Sequence, residues 1–264
     1  MLLRLIPALL AAVAIAAAAV LVTASADAGR GQPARLPDLD QETPDELVVV
    51  HTGGEYRLGF RSAVRNVGRG PLIVDGHRAS ADRAAMRADQ VVVHEGGTRT
   101  IVREVGELRF VVSPDHRHWH LLHFQRYELR RPGSRVTLVQ DRKTGFCLGD
   151  RYAVTGRALP ARAPRARYTS RCGLDQTERL GIREGISVGY GDDYTANLEG
   201  QELSLAGLPD GEYILVHRVN ADRRIRETRY GNNAASLRIA LRWRLGVPRV
   251  RVLARCPDSA RCDA

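Results

Sequence analysis

The sequence predicts an all-β protein with an antiparallel, sandwich-like core, long loops and at most one or two short helices. Short apolar runs recur at residues 47–50, 56–60, 71–74, 91–93, 100–102, 108–112, 127–129, 136–139, 202–205, 212–219 and 235–241. Gly, Pro, Asn and Asp stand between them, and strand-length runs separated by turn residues mark a sandwich or barrel. Gly207-Leu208-Pro209-Asp210-Gly211 is a tight turn feeding a strand, because Pro presets φ and Gly accepts positive φ. Residues 220–233, with Glu227, Tyr230, Asn232 and Asn233, form the loop into the last expected strand. Residues 80–87 are the one candidate for a short helix, and residues 159–179 read as long irregular loops.

Ahead of these elements, residues 5–22 are almost wholly apolar and lead to the small residues Ala24, Ser25 and Ala26, the layout of a secretory signal peptide over residues 1–26. Eighteen apolar residues also just suffice for an uncleaved anchor, but the alanine-rich core and small-x-small site favour cleavage. Residues 27–46, rich in Pro, Asp, Gly and Gln without an apolar period, read as a linker. One domain then spans residues 47–250, and residues 251–264 form a tail with Cys256 and Cys262. Nothing after the signal is apolar enough to cross a membrane, so the expected location is secreted or cell-surface.

Four cysteines in an exported chain predict two disulfides, Cys256 with Cys262 in a small loop and Cys147 with Cys172 across a longer one. The absence of a Cys-x-x-Cys counts against a zinc ribbon and a thioredoxin-like redox site. The net charge of +10 is spread along the chain and aromatics make up only 5%, which leaves no stacking platform for nucleic acid. It suits adhesion to an anionic cell-surface polymer. Of the forty basic residues only one, Lys143, is a lysine.

Four of the eight histidines fall between positions 116 and 123. In an extended chain His116, His118 and His120 project to one side while Arg117, Trp119 and Leu121 project to the other. A helix would instead align His116, His120 and His123; the surrounding β pattern and Trp119 favour the strand. A single histidine is usually an ordinary surface or core residue, but three in strict alternation point to a metal. Neutral imidazole suits Cu, Zn, Fe and Ni with affinity greatest for Cu(II), so the histidines alone do not separate copper from zinc. No Cys or Met stands nearby for a blue-copper centre, and no Glu or Gln stands at a cupin interval.

The string DHRHWHLLHFQRYEL at residues 115–129 resembles the copper-binding segment of the lysyl oxidase family. KTGFCLGD at 143–150, ISVGYGDDYTANLEGQ at 186–201, and GLPDGEY with VNADRRIRETRYGNN between 207 and 233 extend the match in order. The resemblance implies that His116, His118 and His120 bind Cu(II), and that Lys143 and Tyr194 are the precursors of a lysine tyrosylquinone. It implies a copper-dependent amine oxidase that converts primary amines, peptidyl lysine among them, to aldehydes with dioxygen, releasing ammonia and hydrogen peroxide. Copper and oxygen would oxidise the ring of Tyr194, and an uncharged amine of Lys143 would add to it. The base that removes the substrate proton must lie beside the quinone; Asp192, two residues from Tyr194 and on its face in an extended segment, is the candidate, and Asp193 points away.

This chain departs from the animal members at three positions. Asp115 stands where they have a cysteine before the first histidine, and Tyr190 and Gly200 stand where a cysteine pair brackets the cofactor tyrosine, which puts the rigidity of the Tyr194 loop in question. Two other readings compete with the oxidase: a non-catalytic β-sandwich binding or adhesion module with a structural metal site, and a zinc metallohydrolase using the same histidines. Neither needs both Lys143 and Tyr194. A cationic enzyme attracts lysine-rich partners poorly unless Asp192, Asp193 and Glu199 form a local acidic entrance.

Overall fold

The computed structural model describes residues 32–113, 116–140, 145–155, 165–196, 198 and 200–263, with His116 described in its backbone alone. The expected export signal and Lys143 lie outside the described residues. The first strands are β1 (Ala34–Arg35), β2 (Leu39–Gln41), β3 (Asp45–Thr52), β4 (Glu55–Asn66), β5 (Leu72–His77) and β6 (Ala85–His94). A 3₁₀ turn, Glu95–Gly97, leads to β7 (Arg99–Ser113), β8 (His116–Leu121), β9 (Gln125–Arg130), β10 (Thr137–Gln140) and β11 (Tyr152–Ala153). The chain closes with β12 (Gly181–Ile186), β13 (Tyr190–Tyr194), β14 (Glu202–Ser204), β15 (Gly211–Val219), β16 (Ala234–Arg244) and β17 (Val247–Cys256).

Among the described residues every pairing is antiparallel, and the strands form three sheets. One runs β12-β5-β6-β7-β8, with β1 added to β6. The second runs β10-β9-β15-β16-β17, and the third is built on β4, which pairs with β2, β3, β13 and β14. The sheets enclose one main core whose largest fully buried side chains include Trp119, Tyr127, Tyr213, Phe60 and Phe146. The all-β, sandwich-like expectation is met.

Several local expectations change. Residues 80–87 form no helix: Ala85–Arg87 belong to β6, where pairing to β5 and β7 overrides the helix-forming alanines and arginines. The runs at 100–102 and 108–112 are one strand, β7. It looks interrupted in sequence because Arg103 and Glu104 form an irregularity, with Glu104 at φ 58 and its backbone N–H donating to Asp89 Oδ1 at 2.8 Å. Residues 32–46 are not a loose linker, since β1, β2 and the start of β3 add to the sheets and Leu39 is buried in the core. The segment 247–256, not counted among the expected strands, is β17, an alternating Val/Arg edge paired to β16.

Both disulfides form as paired in the sequence reading. Cys256–Cys262 folds the last residues against Ile214 and Val216, so this loop covers the outer face of β15. Cross-linking so short a loop restricts the unfolded chain by about 2 kcal/mol. Replacing both Cys256 and Cys262 by alanine is expected to lower unfolding stability by about that amount in urea titration, with the m-value nearly unchanged.

Candidate active site

The histidine segment is a strand, β8, held against β7 with Ser113, Val111 and Arg109 opposite His116, His118 and His120. Strand alternation puts His118 and His120 on one face, and their rings lie 4.7 Å apart between centroids. His120 is buried and His118 half-buried. The side chain of His116, the third expected ligand, lies outside the described residues, and among those residues no cluster of three potential ligands forms. Two neighbouring imidazoles of one strand, tilted at 45° to each other, are a donor pair that suits a divalent copper ion. His123 sits in the turn after β8, exposed, at φ 58.

The other edge of β8 is closed by two loop segments. Leu121 and Phe146 exchange both backbone hydrogen bonds, at 2.8 and 3.0 Å, and the Trp119 N–H donates to the Cys172 carbonyl at 2.9 Å. The Cys147–Cys172 disulfide joins the two segments. Gly145 is required where the first segment meets β8: its φ is 123°, and a Cβ there would lie 2.6 Å from the Leu121 carbonyl oxygen and 3.1 Å from His120 Cβ.

Tyr194 ends β13 and is buried in the core with Phe146, their rings perpendicular at 5.0 Å. Its hydroxyl reaches the Cys147 carbonyl at 2.7 Å and Asp192 Oδ2 at 3.1 Å. Asp192 therefore shares the face of Tyr194, as the extended reading required, while Asp193 turns away to Arg61 at 3.1 Å. The structure thus brings Asp192 to Tyr194 and His118 to His120. Tyr194 packs with Leu121 and Phe146 in the core, whereas His118 and His120 project from the opposite face of β8.

Arg151 carried no distinguishing signal in the sequence, being one arginine among many. Its Nε is 2.7 Å from Asp192 Oδ1 and its Cζ lies 4.7 Å from the centre of the Tyr194 ring. Burial pushes the Asp192 carboxyl up to about 7, with Arg151 pulling the other way. Burial, and next the nearby Asp192, hold the Tyr194 phenol well above its usual range, so it is neutral. Glu184 on β12 is a second fully buried acid, raised by burial, whose Oε2 accepts the Leu148 N–H at 3.2 Å.

The loop lacking the animal cysteine pair is braced in other ways. β13 is paired on both sides, to β4 and β11, and the following turn carries Leu198 N–H to Thr195 O at 3.2 Å and Gln201 N–H to Leu198 O at 2.9 Å. The acidic entrance does not form from Asp192 and Asp193, because each is paired to an arginine; Glu199 lies outside the described residues. A cavity of about 670 Å³ opens beside β7 and the turn after β8, and neither His118 nor His120 lines it. Its lining includes Arg109 and Val111, the neighbours of His120 and His118, with Glu107, Leu122, His123 and Arg224.

The eighth histidine, His217, is fully buried in a different place. It meets Gln41 at 2.7 Å, Gln125 at 2.9 Å and Ser62 at 3.1 Å, a polar knot across β2, β4, β9 and β15.

A family model, Lysyl oxidase, matches residues 74–246. That is more than half of the chain, and the chain belongs to the lysyl oxidase family. A search of curated proteins finds no match.

His118→Ala or His120→Ala is expected to weaken copper binding by more than the roughly 10–100-fold typical of a supporting residue, read by calorimetry. His217→Ala is expected to leave copper affinity unchanged and to cost about 2 kcal/mol of stability by stranding buried partners.

Proposed function

We propose that this chain is a secreted, copper-dependent amine oxidase that converts primary amines to aldehydes, with lysine side chains of proteins among its substrates. The observation that carries this is the Tyr194 hydroxyl resting on the carbonyl of Cys147, four residues after the single lysine of the chain. One family-matched segment thus bears Lys143 and receives the tyrosine that would join it. Two disulfides are consistent with an extracytoplasmic location, as is family membership.

His118 and His120, with His116 as third ligand, would hold copper on the face of β8 that carries them. Copper(II) and the lysine tyrosylquinone would supply the oxidation of the amine, with dioxygen as acceptor and ammonia and hydrogen peroxide as products. Asp192 is the candidate base, since a carboxyl poised near 7 changes protonation state close to working pH. Phe146 and Tyr194 pack edge to face, which orients the ring and excludes water from one side of it.

The cavity beside β7 and the turn after β8 carries more positive than negative charge. Glu107 is bonded to Arg109 at 2.5 Å, which leaves Arg224 and His123 without an ion-paired acid among the described residues. A substrate bearing a second cation is therefore repelled at low salt. We expect pentylamine to be turned over with a lower KM than 1,5-diaminopentane, and the KM of the diamine to fall as salt is added.

The oxidase is tested by tryptic mass spectrometry after copper loading in air, where the peptides of Lys143 and Tyr194 should be covalently linked and amines should yield peroxide. Unlinked peptides together with no peroxide would leave a non-catalytic binding module with a structural metal.

A further inference from the structure

Arg151, Asp192 and Tyr194 form one contact cluster. Asp192 is fully buried, with Oδ1 held by Arg151 Nε at 2.7 Å and Oδ2 3.1 Å from the Tyr194 hydroxyl. A phenolate gives up an electron far more readily than a neutral phenol. Burial holds Tyr194 in the neutral form, so a ring destined for oxidation needs a base at its oxygen. The Cys147 carbonyl and the Asp192 carboxylate both lie within reach of the single O–H of Tyr194. A peptide carbonyl takes a hydrogen bond but not the proton; a carboxylate takes both.

We propose that Asp192 accepts the phenolic proton of Tyr194 during self-processing of the site, and that Arg151 is the positioning residue that holds the carboxylate for it. This rests on the quinone reading given above and concerns a stage before any substrate is bound. In the step the O–H bond of Tyr194 breaks, the proton goes to Oδ2 of Asp192, and the electron pair stays on the phenolic oxygen. No oxidant is consumed. The cluster is one cation, one anion and a neutral phenol beforehand, and one cation, a neutral acid and a phenolate afterwards. Net charge in the buried site is unchanged, and Arg151, already facing both groups, remains beside the anion in either state. A transfer that creates no new net charge avoids the large cost of burying one.

Other neighbouring groups are engaged elsewhere among the described residues. Asp193 is turned to Arg61, Glu184 accepts the Leu148 N–H at 3.2 Å, and Val64 stands opposite Asp192 on β4. Tyr152 on β11 is opposite Gly191 and donates to Glu42 at 2.8 Å.

The test follows formation of the Lys143–Tyr194 cross-link by mass spectrometry after copper is added in air to metal-free full-length protein, with copper uptake measured separately. Asp192→Asn should bind copper normally yet cross-link about a hundredfold more slowly. Arg151→Lys should keep most of the rate. Arg151→Gln should slow it and move its pH profile upward, because losing the cation makes Asp192 harder to ionise. In the wild type the rate should rise with pH through about 7 and level above it, where the Asp192 carboxylate is formed. If Asp192 merely raised the phenol's proton affinity as a fixed anion, its removal would speed the reaction; an Asp192→Asn rate equal to or above wild type therefore overturns the proposal and leaves the oxidase standing. A wild-type rate still rising about tenfold per pH unit above pH 8, the signature of hydroxide as base, also overturns it, and needs no variant to fold. A wild type that never cross-links removes the quinone reading and this proposal together.

Discussion

The paired backbone bonds between Leu121 and Phe146 are the constraint on which the rest of the site depends. β8 is the outer strand of its sheet, and an open edge with unpaired N–H and C=O groups is a liability. Here a loop rather than a strand closes it, and Cys147–Cys172 fixes that loop to the second segment, which pairs at Trp119. The same few atoms would set both halves of the proposed chemistry. On one face they back the histidine ladder, and on the other they offer Phe146 and the Cys147 carbonyl to Tyr194. Any slip of Phe146 along β8 would move the tyrosine relative to the histidines, since a one-residue shift turns every side chain to the opposite face.

Charge is organised around this seam by arginine. Asp192, Asp193 and Asp40 each face a guanidinium, and Arg61 and Arg151 bracket β13 from two sides. These pairs, together with sheet pairing on both edges of β13, do the bracing that a cysteine pair does in animal relatives. The difference is chemical as well as mechanical, because a disulfide holds backbone positions whereas Arg151 also puts a positive charge against the ring it steadies.

Much of the fold was legible because period-two patterning survives wherever one face of a strand is buried. It failed where tertiary contacts decide. Ala85–Arg87 has a helix-compatible composition but is recruited by neighbours on both sides, and the split in β7 reflects an irregularity around Asp89 that local sequence does not mark. β17 alternates Val and Arg plainly enough, but its proximity to Cys256 and Cys262 made it look like a tail. At the site, the alternation of His118 and His120 and the two-residue spacing of Asp192 and Tyr194 follow from strand geometry alone. Arg151 and Glu184 do not, since they come from the loop before β11 and from β12 respectively, and no local pattern distinguishes one arginine or one glutamate from the others.

The guanidinium groups that line both faces of this region have a further consequence. An enzyme that makes an electrophilic quinone and releases aldehydes works amid its own side chains, and any lysine within reach would be both a substrate and a trap for the product. Arginine keeps the positive charge but stays protonated at every physiological pH, so it offers no free amine to condense. With Arg61, Arg109, Arg151 and Arg224 as the local cations, the surface is chemically inert toward the reaction it would host, and Lys143 is left as the one side-chain amine able to take part.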